Sequence, residues 1–216
     1  MSPTFIGSFF IDNLLICSAV SLPLFLALGL FFQKLCAPTL SLAPWAALPA
    51  LLLSLWVEPG LVISVPWLLL GAQFGIDTTA QVFLLFTALL WICAGVYARA
   101  YMGDDANVSR FFAFFLATMS GNVGLILAQD MITFYLFFAL MSFAAYGLVI
   151  HDGSTEARRA GRVYLSLVIV GEVLLVPGLL LITHARRDGV PSPGCQCSKS
   201  ANSQPHYHAH TRRVWH

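Results

Sequence analysis

The stretch VYLSLVIVGEVLLVPGLLLI, residues 163–182, decides the fold of this chain. It contains no Lys, Arg or His, and Glu172 is its one charged residue. A helix that crosses a bilayer needs about 20 predominantly apolar residues, so this stretch predicts a membrane span. Glu172 follows Arg162 by ten residues, which is about 15 Å along a helix and therefore near the middle of the hydrocarbon core. A charge at that depth costs roughly 2.5–3.5 kcal/mol, so an acid there normally has a function.

The overall composition extends this interpretation to the whole chain. Of its 216 residues, 58% are apolar and only 10% are charged, whereas ordinary soluble domains carry about 25% charged residues. The sequence therefore predicts an integral membrane protein, with the lipid bilayer as its surroundings. The formal net charge of +1 offers no basic field for nucleic acid.

Further apolar runs have the length of a membrane span. Together with the first stretch they predict an all-α, polytopic transmembrane bundle of about six helices, at Leu14–Phe32, Leu42–Val57, Ala80–Tyr101, Phe111–Ala128, Met131–Ile150 and Val163–Ile182. A weaker patch, Leu61–Leu70, contains Pro66 and is too short to span. It is expected to be an extended or re-entrant connector.

The charged residues between the runs are sorted by side. The loops after the first, third and fifth runs carry Lys34, Arg99, Arg110, Arg158, Arg159 and Arg162, and the opposite loops carry only acids, Asp12, Glu58, Asp77 and Asp130. The positive-inside rule then places the basic loops in the cytoplasm and the N-terminus outside, in a bacterial inner membrane. Arg158, Arg159 and Arg162 are expected to set orientation rather than to carry chemistry. Residues 1–12 lack Lys and Arg, unlike a signal peptide, so the first run is expected to be retained.

The composition of the chain changes from apolar to polar after the last run. Residues 1–183 form the predicted membrane portion, and residues 184–216 are polar and rich in Ser, Pro and His, a composition typical of disorder. A frameshifted or truncated gene end is one explanation for this tail. Its histidines at 206, 208 and 210, near Cys195 and Cys197, could bind a metal weakly. An incidental cluster is the favoured interpretation, so no metal site is predicted.

Three residues are candidates for proton transfer, each with a structural alternative. Glu172 lacks a basic partner in its own run, and burial favours the neutral acid; its alternative is a purely structural, hydrogen-bonded acid. Asp130 directly precedes the fifth run, where a helix N-cap is favoured over a proton relay. Tyr146 lies on a small, mildly polar stripe of that run, which close helix packing explains without any role in transport.

Two neighbouring segments carry a family resemblance. The segment GNVGLILAQD (121–130), followed by FYLFFALMS (134–142) and Tyr146, resembles the core of the proton-conducting antiporter-like subunits, in their N-terminal portion. These subunits occur in NADH:quinone oxidoreductase (complex I), Mrp-type antiporters and hydrogenase-4-type complexes. The resemblance implies translocation of protons or sodium by a membrane subunit that works with other membrane subunits. No residue set here suits NADH, flavin or an iron–sulfur cluster, so cofactors and any redox enzyme activity are expected in those partners.

The chain also departs from that family. Its members usually carry a Glu in the fifth helix, within a Trp-Glu-like pair, where this sequence has Phe138-Ala139. The segment AGRVY (160–164) with Gly171-Glu172 resembles a hydrogenase-4-like branch, which makes Glu172 a candidate replacement from the next helix. The family's later helices, with their lysines and histidines, have no counterpart in this sequence. Two alternatives therefore stay open, a structural subunit that does not conduct ions and a non-functional truncated product.

Overall fold

The computed structural model describes residues 3–30, 36–65, 71–102 and 107–187. Most of the tail, including Cys195, Cys197 and the three histidines, lies outside the described residues. In chain order the helices are α1 (Pro3–Gly29), α2 (Cys36–Leu42), α3 (Leu48–Trp56), α4 (Thr78–Tyr101), α5 (Val108–Leu127), α6 (Met131–Val149) and α7 (Thr155–Arg187). Two short strands, β1 (Leu61–Val65) and β2 (Ala72–Ile76), lie between α3 and α4.

The all-α membrane architecture predicted from the sequence is confirmed. Within the described residues, six helical segments are long and apolar enough to cross a bilayer, at Asp12–Gly29, Thr39–Trp56, Thr78–Tyr101, Val108–Leu127, Met131–Val149 and Thr155–Ala185. The second of these is composite, because a 3-10 turn at Ala43–Ala47 separates α2 from α3. Pro44 and Pro49 each stand at the start of a new segment, where the missing N–H of proline is tolerated.

The connector between α3 and α4 is extended, as expected, and forms a hairpin. β1 and β2 pair antiparallel, from Leu61 opposite Ile76 to Val65 opposite Ala72. Gly60 and Gly71 flank β1 and β2 with positive φ angles of 109° and 103°, a conformation that favours glycine. Residues 66–70, which include Pro66, lie outside the described part of the chain.

Helix α5 is the centre of the bundle and packs against both α1 and α6. Its fully buried side chains include Phe112, Leu116, Met119, Val123 and Leu127, whose spacing of three or four residues marks one helical face. Ser120 donates a hydrogen bond to the carbonyl oxygen of Val20 on α1 at 2.7 Å. Towards α6 the packing is closer, since a Cβ added at Gly121 would lie 2.7 Å from the backbone nitrogen of Met141.

Helix α7 differs from the others because most of its surface is exposed. Only 6% of its apolar window is buried by the rest of the chain. Residues 1–173 form one compact unit, and a second unit begins at Leu174. The helix runs on through position 184 to Arg187, so the first residues assigned to the tail from composition are helical.

The contact between α5 and α6 predicts a stability difference between two glycine substitutions. Gly121→Ala forces a methyl group against the Met141 backbone, and overpacking of this kind costs about 1–3 kcal/mol. A Cβ added at Gly171 on α7 would meet no atom within 4 Å, so Gly171→Ala should be neutral or stabilising, because alanine favours helix. Thermal unfolding in detergent should show a lower Tm for Gly121→Ala only. Equal Tm values for the two variants would contradict the close packing.

Candidate functional site

The site is built on the hairpin that joins α6 to α7. Gly153 turns the chain with a φ angle of +69°, and its N–H donates to the Ile150 carbonyl at 3.1 Å. The Ser154 hydroxyl oxygen accepts a hydrogen bond from the Ala157 N–H at 3.0 Å, which caps the start of α7. Helix α7 therefore returns antiparallel along α6.

Three positions of α7 meet α6 along a line that we call the α6–α7 seam. A Cβ added at Gly161 would lie 2.5 Å from the Ile150 side chain, so glycine allows an approach that a larger residue would have to push apart. Further along, the Tyr164 hydroxyl donates to the Ser142 carbonyl oxygen at 3.3 Å. Glu172 then faces the Tyr135 hydroxyl. The contact positions run in order from 161 to 172 along α7 and from 150 down to 135 along α6, as expected for antiparallel helices.

Glu172 is buried on a helix whose neighbouring side chains are exposed. It is 7% exposed, whereas Val170 and Val173 are 56% and 64% exposed. Both carboxylate oxygens are buried, and among the described residues neither accepts a hydrogen bond of strict geometry. The Tyr135 hydroxyl of α6 is a polar group that interacts with it. A buried carboxylate without full hydrogen bonding is costly in its charged form.

Asp130 lies outside the seam and has a structural role that agrees with the N-cap interpretation. One carboxylate oxygen accepts from the Thr133 N–H at 2.9 Å and caps α6. The other accepts from the Gln73 N–H of β2 at 2.8 Å, and the Gln129 N–H donates to the Gln73 carbonyl at 2.9 Å. Burial alone would raise the pKa of Asp130, but the interactions with Thr133 and with the Gln73 N–H outweigh it and hold that pKa below its ordinary value.

Tyr146 and the arginines lie at the hairpin end of the seam, far from Glu172. An open cavity of about 570 Å³ there is lined by Tyr146, Ile150, Thr155, Arg158 and Arg162. Arg159 lines a separate groove with Glu156. Tyr146 follows Tyr135 by eleven residues, which is about 16 Å along α6. The structure therefore does not bring Glu172, Asp130 and Tyr146 into one cluster.

Sequence reasoning missed Tyr135, although a signal for it exists. Tyr135, Ala139, Ser142 and Tyr146 are spaced as i, i+4, i+7 and i+11, so they lie on one face of α6. Ala139, where the resemblance would place a Glu, is one turn from Tyr135 on the face that carries the seam. Glu172 thus places a carboxylate on the α6–α7 seam from the opposite helix.

A metal centre finds no support in the described part of the chain. No group of three His, Cys, Asp or Glu side chains there could hold an ion. Among the described side chains, Glu172 lacks the several oxygen ligands that a tightly held cation needs.

The spanning helices make this chain a multi-pass helical membrane protein. Comparisons with known proteins point to the same class. No protein-family model matches the chain. It is 30% identical over 119 residues to the A/B subunit of a probable K(+)/H(+) antiporter of Rhizobium meliloti, covering 55% of this chain and 12% of that protein. It is 27% identical over 109 residues to the D subunit of a Na(+)/H(+) antiporter of Bacillus subtilis, covering 50% of this chain and 22% of that protein.

A solved structure shares the fold. A chain of the membrane-bound sulfane sulfur reductase, an archaeal respiratory membrane complex, superposes with a TM-score of 0.62 at 19% identity, covering 81% of this chain and 37% of that one. The resemblance to antiporter-like membrane subunits is therefore confirmed by the sequence relatives, and the solved structure shows the same fold. It spans only 12% and 22% of the length of the two relatives named above.

The Asp130 geometry predicts a stability effect with a defined pH dependence. Asp130→Ala removes the cap of α6 and the bond to β2, and loss of a cap costs about 1–2 kcal/mol. Because the folded pKa of Asp130 is depressed, this stabilisation is complete above the unfolded value near pH 4 and is lost as the pH falls through the folded pKa.

Unfolding in detergent from pH 7 to pH 3 measures this effect. The Tm difference between wild type and Asp130→Ala should stay constant down to about pH 5 and shrink below pH 4. Asp152→Ala, in the exposed part of the hairpin, should leave Tm unchanged. A difference that grows with acidification would contradict the assignment.

Proposed function

We propose that this chain is an ion-translocating membrane subunit in which Glu172 takes up and releases the proton. The observation that carries the proposal is the burial of Glu172, the one charged side chain that is buried in the described residues. It lies within the apolar span Thr155–Ala185, where an ionisable group is a functional candidate by default. Its place on a seam between two helices, rather than towards lipid, supports the same role.

Tyr135 is the proposed partner of this acid. Its hydroxyl can donate a hydrogen bond to the charged carboxylate and accept one from the protonated carboxyl group. Tyr135 can therefore hydrogen-bond to Glu172 in both its charged and its protonated state. A lysine or arginine in its place would favour the charged state alone. Asp130 and Tyr146 stay weaker candidates, since they lie towards the two ends of α6.

The relatives suggest which process this exchange serves. Two of them are named as K(+)/H(+) and Na(+)/H(+) antiporter subunits, so proton movement coupled to potassium or sodium is the proposed process. We further propose that the chain works with other membrane subunits, in a complex of the Mrp, hydrogenase-4 or NADH:quinone oxidoreductase type. Redox chemistry, where it occurs, then belongs to the partner subunits.

The distribution of charge supports a proposed orientation in the membrane. The first turns of α7, next to the hairpin, carry three arginines, and Asp130 caps the opposite end of α6. By the positive-inside rule the hairpin faces the cytoplasm and the N-terminus faces outward, in a bacterial inner membrane.

Proton flux tests the proposed role of Glu172. The full chain is reconstituted into liposomes that contain a pH-sensitive dye, and a pH gradient is imposed. Glu172→Gln, which keeps the shape but cannot lose a proton, should reduce the flux at least about tenfold, because the exchanging group is gone. Glu58→Gln makes the same chemical change at an exposed position and should leave the flux unchanged.

The same measurement distinguishes proton exchange at Glu172 from a purely structural role. A structural subunit that does not conduct ions predicts no flux above that of empty liposomes in the wild type, or equal flux in the two Gln variants. Tm values measured in parallel should show Glu172→Gln folded. A Tm loss without any flux difference would assign Glu172 a purely structural role.

A further inference from the structure

The cavity at the hairpin end of the seam has no part in the proposed proton exchange. Its volume of about 570 Å³ lies within the roughly 300–1,000 Å³ of typical ligand pockets. The cavity is separate from Glu172. A ligand can therefore bind in it whether or not Glu172 exchanges protons.

The lining of this cavity combines cationic, hydroxyl and apolar groups. Arg158 and Arg162 are one helical turn apart and converge on it with Thr155, while α6 contributes Tyr146 and Ile150. Within the described residues neither guanidinium group has an ion-pair or hydrogen-bond partner. Two such guanidinium groups beside two hydroxyl groups form a set of donors suited to a phosphate.

The depth of the cavity in the membrane favours the phosphate of a lipid headgroup over a free phosphate ion. Tyr146 belongs to the span Met131–Val149, and both arginines belong to the beginning of the span Thr155–Ala185. The cavity therefore opens at the boundary between the hydrocarbon core and water, where Tyr and Arg side chains are typically found. Ile169 follows Arg162 by seven residues and so lies on the same face of α7. It is 48% exposed, so an acyl chain can pack directly on that face.

We propose that this cavity binds the headgroup of an anionic phospholipid. Arg158 and Arg162 contact the phosphate, and the hydroxyl groups of Tyr146 and Thr155 donate hydrogen bonds to its oxygens. Basic pockets between membrane helices bind anionic headgroups through the same chemistry. The bound lipid bridges α6 and α7 beside the hairpin, because the cavity is lined by residues of both helices.

Native mass spectrometry of the purified full chain in detergent tests this proposal, with phosphatidylglycerol and phosphatidylcholine as probes. The double variant Arg158→Gln/Arg162→Gln should retain phosphatidylglycerol roughly tenfold more weakly than wild type, because both cationic contacts are lost. The matched control is Arg159→Gln, which removes one arginine of the same cluster from outside the cavity and should bind within about twofold of wild type. Phosphatidylcholine should bind all three proteins weakly and equally.

Each other outcome overturns the proposal. Equal retention of phosphatidylglycerol by wild type and the double variant would show that the arginines make no specific contact. An equal loss in Arg159→Gln would indicate only a general basic surface. Full displacement of phosphatidylglycerol by millimolar inorganic phosphate would identify a site for a free anion instead of a lipid. Far-UV circular dichroism should show unchanged helicity in every variant, so that weaker binding reports the site and not the fold.

Discussion

The contact between Glu172 and Tyr135 across the α6–α7 seam is the interaction on which the functional interpretation depends. In hydrocarbon a carboxyl group has no water to bond to, so it requires either a polar partner on a neighbouring helix or a proton. The seam provides the partner, and its register follows from the hairpin. Because Gly161 allows α7 to approach Ile150 closely, Tyr164 can reach Ser142 and Glu172 can reach Tyr135.

The two ends of α6 serve different purposes around this contact. At the end that begins with Asp130, the carboxylate joins the cap of α6 to the edge of β2. At the other end, the hairpin places two arginines over the cavity beside Tyr146. Since α5 packs closely against α6 through Gly121, α6 is held on one side, and α7 meets its other side at the few positions of the seam. The position of Glu172 therefore depends on the packing of α6 against α5.

Much of this fold could be predicted from the sequence, because a bilayer restricts spanning segments to helices of about 20 apolar residues. The six spans, the extended connector and the anomalous position of Glu172 all follow from apolar runs and a single charge. Contacts between distant segments could not be predicted in this way. The carboxylate of Asp130 bonds to Gln73, which is 57 residues away, and Tyr135 meets Glu172 only because a short turn sets the register of two helices. Apolar periodicity shows which face of a helix is buried, but it does not show which residue lies opposite.

Infrared difference spectroscopy of the full chain in lipid bilayers, recorded between two pH values, tests the Glu172–Tyr135 contact most directly. A proton-exchanging Glu172 should give a carbonyl band of a protonated carboxyl group that is absent in Glu172→Gln and present in Glu58→Gln. In Tyr135→Phe this band should shift in frequency, because the hydroxyl partner is lost. A band that survives in Glu172→Gln, or one that is unchanged in Tyr135→Phe, would contradict the assignment of a proton-exchanging acid held at the α6–α7 seam.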